Sequence, residues 1–135
     1  MRAVIDTNVV FEGVTKHGNA SGYVIEAWQA GLFNPCVSNA LAYEYADVLS
    51  RKLSSKRWRR IKLLLRMLLS KAEFVPIYFT WRPASPDPVH EQLIDCAMNA
   101  GAVVVTWNVK DFRNAQISLG LNVMTPVDFL IRLAE

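Results

Sequence analysis

Four polar side chains stand where this sequence could do hydrolytic chemistry: Asp6, Glu44, Asn108 and Asp111. Asp6 ends the short apolar run that opens the chain, Ala3-Val4-Ile5, and is followed by Thr7 and Asn8. That layout puts a carboxylate at the C-terminal tip of a strand, where open α/β sheets bind ligands, and the same polar triplet can cap the next helix. Asn108 and Asp111 repeat the design after Ala102-Val103-Val104-Val105-Thr106. Two carboxylates about 4 Å apart repel by roughly 4 kcal/mol at an effective dielectric of about 20. Such a cluster therefore calls for a cation, and an oxygen-rich donor set selects a hard ion, Mg²⁺ or Mn²⁺. Held with open water positions, that ion suits phosphodiester hydrolysis, since it acidifies a bound water and neutralises charge developing on phosphate oxygens.

The elements that must position these groups alternate strand and helix. Residues 2–5 read as a strand and 9–14 as a short helix. A second helix follows at 23–30, with Val24, Ala27 and Trp28 on one face and Gly31 as its stop. After a strand at 33–37, Ser38-Asn39 caps a helix at 40–53 whose apolar stripe is Leu41, Tyr45, Val48 and Leu49, with Glu44 on or beside it. An inward glutamate is costly unless neutralised, and its plainest partner is Arg51 or Arg2. Residues 56–71 form an amphipathic helix burying Trp58, Ile61, Leu64, Leu65, Leu68 and Leu69, a stripe that Leu63 and Met67 widen. A third strand at 74–78 contains Pro76, which argues for an edge or a strand end. A proline-rich loop then leads to a helix at 89–100 with Gly101 as its cap. Residues 102–106, unbroken by polar groups, read as a central strand covered on both faces. The last strand is 122–124, and Thr125-Pro126 opens a final helix. This alternation predicts a three-layer αβα domain around a parallel sheet with right-handed crossovers.

At 135 residues the chain is expected to be one domain. No charge-free apolar run is long enough to span a bilayer, and the N-terminus lacks the layout of a signal peptide, so a cytoplasmic protein is expected. Cys36 and Cys96 have no CxxC partner and no nearby histidine pair, which argues against structural zinc and for buried thiols. The net charge of +3 is unevenly spread. Arg51, Lys52, Lys56, Arg57, Arg59, Arg60, Lys62 and Arg66 fall in one segment without an acid, either a solvated helix face or a surface for a polyanion or an acidic partner protein, with Arg57, Arg59 and Arg60 as the candidate nucleic-acid contacts.

Taken together, the motifs resemble the PIN-domain ribonucleases, and among them the VapC-like toxins of toxin–antitoxin pairs. The matching residues are Ile5-Asp6-Thr7-Asn8-Val9, 38–49 with Glu44, Asp87-Pro88 followed by 93–97, Val105 to Phe112, and Thr125-Pro126 with Phe129-Leu130. The resemblance implies a PIN-like αβα sandwich and a metal-dependent endoribonuclease, usually dimeric, silenced by an antitoxin whose tail occupies the active-site groove. It implies that Asp6 and Glu44 ligate the metal and that Asp111 does so directly or through water. Asn108 would orient water or metal, and Thr106 and Asn8 would support the shell by hydrogen bonds.

The sequence departs from the family pattern at the third acidic position, where two acids are expected after Asp-Pro. Here Asp87-Pro88-Val89-His90-Glu91 stands instead, and His90 occupies the place of the metal-binding acid. His90 shares a helical face with Leu93, Ile94 and Ala97, whereas Glu91 points about a third of a turn away. A neutral imidazole suits Mn²⁺ better than Mg²⁺, and a protonated one would put a fixed cation where the metal belongs. Glu91 could swing in on its longer side chain, and Asp87 or Asp95 could contribute through water. An RNA- or protein-binding module with weakened catalysis is therefore the alternative. A nucleotide-binding or small-molecule phosphatase domain finds no support, because no GxGxxG or GxxxxGK[ST] loop is present.

Overall fold

A computed structural model describes residues 1–81 and 90–135. Its central sheet is parallel throughout, with strands β1 (Arg2–Ile5), β2 (Asn34–Val37), β3 (Glu73–Phe74), β4 (Val103–Val105) and β5 (Val123–Met124) in the order β3-β2-β1-β4-β5. The helices are α1 (Thr7–Thr15), α2 (Ala20–Gln29), α3 (Asn39–Lys52), α4 (Ser55–Ser70), α5 (Glu91–Ala100), α6 (Arg113–Leu119) and α7 (Pro126–Ala134), with a 3₁₀ turn at Val109–Phe112. This is the expected three-layer αβα sandwich. Parallel strands need long crossovers, and the helices that supply them cover the sheet.

The two central strands carry the core. Val4, Ile5, Val104 and Val105 are essentially inaccessible, as an all-apolar strand flanked on both faces must be. They pair in register, Ile5 opposite Val105, so their C-terminal tips are side by side. Several helix starts are set by the side chains the sequence offers. Asp6, Asn19, Ser38, Ser54 and Thr125 each accept from a backbone N–H in the first turn of α1, α2, α3, α4 and α7.

Three expectations need correction. The strand at 74–78 shrinks to Glu73–Phe74 with one further ladder bond, Val75 N–H to Val37 C=O, because Pro76 has no N–H to offer the ladder. Beyond it, Asn99 takes the place of a neighbouring strand: its Oδ1 accepts from the N–H groups of Tyr78 and Phe79 at 3.1 and 3.2 Å. On α4 only Leu65 and Leu68 are buried, while Trp58, Ile61, Leu64 and Leu69 are half-buried and Leu63 and Met67 lie in solvent. That helix packs on α3 and, through the Trp28 indole N–H donated to Leu68 C=O, on α2; it is a peripheral helix and not a deeply packed one. Finally, α6 fills a stretch for which the sequence pattern indicates no element, a single short helix following the 3₁₀ turn.

Arg2 does not reach Glu44. It forms a two-pronged pair with Glu73 across the edge of the sheet at 2.7 and 2.8 Å, and this hydrogen bonding holds the Glu73 carboxyl below its ordinary range. Cys36 and Cys96 are free and buried, and burial pushes the Cys96 thiol up to about 12. Among the described residues no helix is long and apolar enough to cross a membrane.

Candidate active site

Asp6 is fixed from three sides. Its N–H continues the ladder to Val105 C=O at 2.9 Å, and its C=O accepts from Val9 and Val10 at the start of α1. Its carboxylate accepts from the Asn8 N–H at 3.4 Å and from the Thr106 hydroxyl at 2.7 Å. Thr106 is wholly buried, and its oxygen also accepts from the Asn108 N–H at 3.0 Å. One hydroxyl thus ties the tip of β1 to the loop after β4. The start of α1 adds the positive end of a helix dipole beside the carboxylate.

Glu44 is brought to the same place by its neighbour in sequence. Tyr45 is buried in the core, and its hydroxyl donates to Ile5 C=O, which pins α3 to the last residue of β1. Burial pushes that phenol well above its ordinary range, so it serves only as a neutral donor and acceptor. Glu44 itself is half-buried and accepts from the Thr7 hydroxyl through Oε2. Sequence reasoning missed both Thr7 and Tyr45 as positioning groups. Thr7 was legible only as part of a capping triplet, and Tyr45 only as one more member of an apolar stripe.

Asp6, Asn8, Glu44 and His90 line one cavity of about 240 Å³, with Thr7, Val48, Leu93, Arg51 and Lys52 completing its wall. A larger cavity of about 370 Å³ opens at the opposite end of the sheet around Arg2, Gly101 and Gly120, but no acid lines it. The plain pairing expected for Glu44 is absent: Arg51 bonds Asp47 at 3.1 Å, and the Lys52 ammonium lies 5.0 Å from the centre of the Phe11 ring. Neither Asp6 nor Glu44 has an ion pair among the described residues. The floor of the cavity is therefore doubly negative and its rim positive, an arrangement suited to a cation below and a phosphate above.

His90 sits just before α5, 7% exposed, with its ring tilted over Phe112 at 4.8 Å between centroids. Its Nδ1 is buried and has no hydrogen-bond partner among the described residues. The other expected residues lie apart. Asp111 is half-buried in the 3₁₀ turn, its N–H donating to Asn108 C=O, and neither it nor the exposed Asn108 lines the cavity. Glu91 is also off the wall, on the first turn of α5, while Asp87 falls outside the described residues. Arg57, Arg59 and Arg60 are exposed on α4; Arg57 and Arg60 line a separate groove with Thr15 and His17.

Among the described residues no three His, Cys, Asp or Glu side chains stand close enough together to hold a metal ion. Two unpaired carboxylates at a strand tip nonetheless fit a hard divalent cation, because Mg²⁺ commonly takes one or two carboxylates and completes its shell with waters and substrate phosphate.

A parallel αβα domain that brings one acid at the tip of its central strand and one from a neighbouring helix into a single cavity suits chemistry on phosphate esters. The chain belongs to the PIN domain family, whose sequence profile matches residues 2–110. PIN domains are in general nucleases, that is hydrolases, and are typically dependent on divalent metal. Among solved structures, VapBC2 from Rickettsia felis, crystallised with a DNA fragment from its promoter, superposes with a TM-score of 0.67 at 18% identity, covering 93% of this chain and 98% of that one. PAE2754 from Pyrobaculum aerophilum superposes with a TM-score of 0.65 at 16% identity, over 99% of this chain and 90% of the other. At these identities the likeness is one of fold. No curated protein sequence matches significantly.

Proposed function

We propose that this protein is a Mg²⁺- or Mn²⁺-dependent endoribonuclease, the toxin of a type II toxin–antitoxin pair, working in the cytoplasm as a homodimer until its antitoxin silences it. The observation that carries this reading is the pair Asp6 and Glu44, without an ion pair among the described residues and sharing one cavity at the tip of β1. The two carboxylates would hold the ion, which when bound acidifies a water and neutralises charge on the scissile phosphate. Thr106 and Thr7 hold the two acids in place by donating to them, and the N–H of Asn8 keeps Asp6 turned toward the cavity. Arg51 and Lys52 on the rim attract the phosphate backbone, and Asp111 acts at one remove, through a water. The test is cleavage of a mixed RNA pool with Mn²⁺ by the protein and by Asp6→Asn. Loss of cleavage in the variant supports the reading, and equal residual cleavage by both rejects it.

A second reading is favoured by His90, whose imidazole takes the place of the acid the family expects and leaves a buried nitrogen unpartnered among the described residues in the cavity that Asp6 and Glu44 also line. In that reading the fold binds RNA or a partner protein and cleaves weakly. His90→Asp then raises turnover and Mg²⁺ affinity. If it changes neither, His90 has no part in the weakening.

A further inference from the structure

Trp107 follows Thr106 directly, so its backbone stands one residue from the hydroxyl that holds Asp6, and its side chain is 43% exposed. A large aromatic left in water forgoes burial, yet this one is not loose. Its indole N–H donates to Ser21 Oγ at 3.0 Å, and the fully buried Ser21 hydroxyl donates in turn to Glu12 Oε1 at 2.6 Å. The helices supplying that anchor cannot shift easily. A Cβ on Gly13 would meet Ile25 Cγ1 at 2.4 Å and Ser21 C=O at 2.6 Å, so α1 and α2 are already in contact there. With its one polar atom spent on Ser21, the indole offers a partner its ring surface alone.

We infer that Trp107 is a stacking platform for an unpaired base of single-stranded RNA, next to the phosphate seated at Asp6 and Glu44. This rests on the ribonuclease reading and names its substrate class. A rigid ring loses little entropy on stacking, and stacking without hydrogen-bond readout accepts any base. A nucleic acid fits better than a protein side chain because the chain as a whole is positive, and Arg51 and Lys52 line the cavity that holds Asp6 and Glu44.

The experiment measures binding of a short fluorescein-labelled single-stranded RNA by anisotropy in the non-cleaving Asp6→Asn background, with folding checked by circular dichroism. Trp107→Ala should weaken binding by about 5- to 150-fold, and Trp107→Phe, which keeps a stacking face but cannot donate to Ser21, should stay within about threefold of the parent. Equal affinity of the Ala variant and the parent overturns the inference. So does an equal loss in the Phe and Ala variants, since a loss common to both belongs to the Ser21 anchor and not to the ring. A parent protein that binds no RNA at all overturns the ribonuclease reading itself. If Trp107→Ala leaves RNA affinity intact but abolishes binding of a cognate antitoxin, the ring serves a protein contact and the inference fails.

Discussion

At Glu44 a carboxylate sits half-buried on the edge of an apolar helix face, with one hydroxyl from Thr7 and no ion pair among the described residues. Asp6 faces the same cavity, so without a metal the two carboxylates share one partly buried site. Removing one of them should therefore help the empty fold and harm the loaded one. Glu44→Gln keeps an oxygen for Thr7, and it is expected to raise the melting temperature in EDTA by about 2–5 °C, equivalent to roughly 1 kcal/mol. The same variant should abolish the further rise that Mn²⁺ gives the parent. Differential scanning calorimetry with and without Mn²⁺ checks both; an unchanged Mn²⁺ response in Glu44→Gln would show that this carboxylate holds no ion. Asp6 and Glu44 were legible in the sequence because each breaks a local pattern, one ending an apolar strand and the other intruding on a helix stripe. The groups that hold them in place were not, since Thr7 and Tyr45 fit their local patterns and acquire their roles only through contacts with residues far away in sequence.

Elements announced by a cap and a clean periodicity appear where the sequence puts them: α3 and α7 each begin at the expected side chain, which accepts a first-turn N–H, whereas α2 begins three residues before Tyr23, capped by Asn19. The misread elements are those decided by a distant partner. Strand β3 stops before Pro76, which has no N–H for the ladder, and beyond it Asn99, on α5, takes the N–H groups of Tyr78 and Phe79 that a longer strand would have paired. The α1–α2 contact is of the same kind, and Gly13 is its most exacting position. Nothing in the local sequence marks this glycine as a point of near contact between helices, yet any side chain there collides with Ile25 and with the Ser21 carbonyl. The backbone oxygen cannot rotate away, so the helices must part. Gly13→Ala is expected to destabilise the fold by about 1–3 kcal/mol despite its better helix propensity. Urea unfolding would show this as a lower midpoint at unchanged slope, and a stabilised variant would mean that α1 and α2 are not held together at this point.

Across the whole molecule, charge is separated in a way that composition could suggest but not arrange. The basic run does lie on an exposed helix, α4, but Arg57 and Arg60 face a groove shared with Thr15 and His17, not the acidic cavity. The positive groups beside the candidate site are instead Arg51 and Lys52, at the end of α3. If RNA spans from the cavity to α4, the arginines of α4 act as remote backbone contacts that raise affinity without touching the reacting phosphate. Each contact neutralised in single-stranded nucleic acid adds about 0.7 to the slope of log affinity against log salt. Replacing Arg57, Arg59 and Arg60 by Gln should therefore flatten that slope by up to about 2 while leaving the maximal cleavage rate at saturating RNA within about twofold of the parent. Filter binding from 50 to 300 mM salt, paired with single-turnover cleavage, separates the two effects. An unchanged slope returns these arginines to an ordinary solvated face, and a collapse of the saturated rate would mean that α4 reaches the reacting phosphate after all.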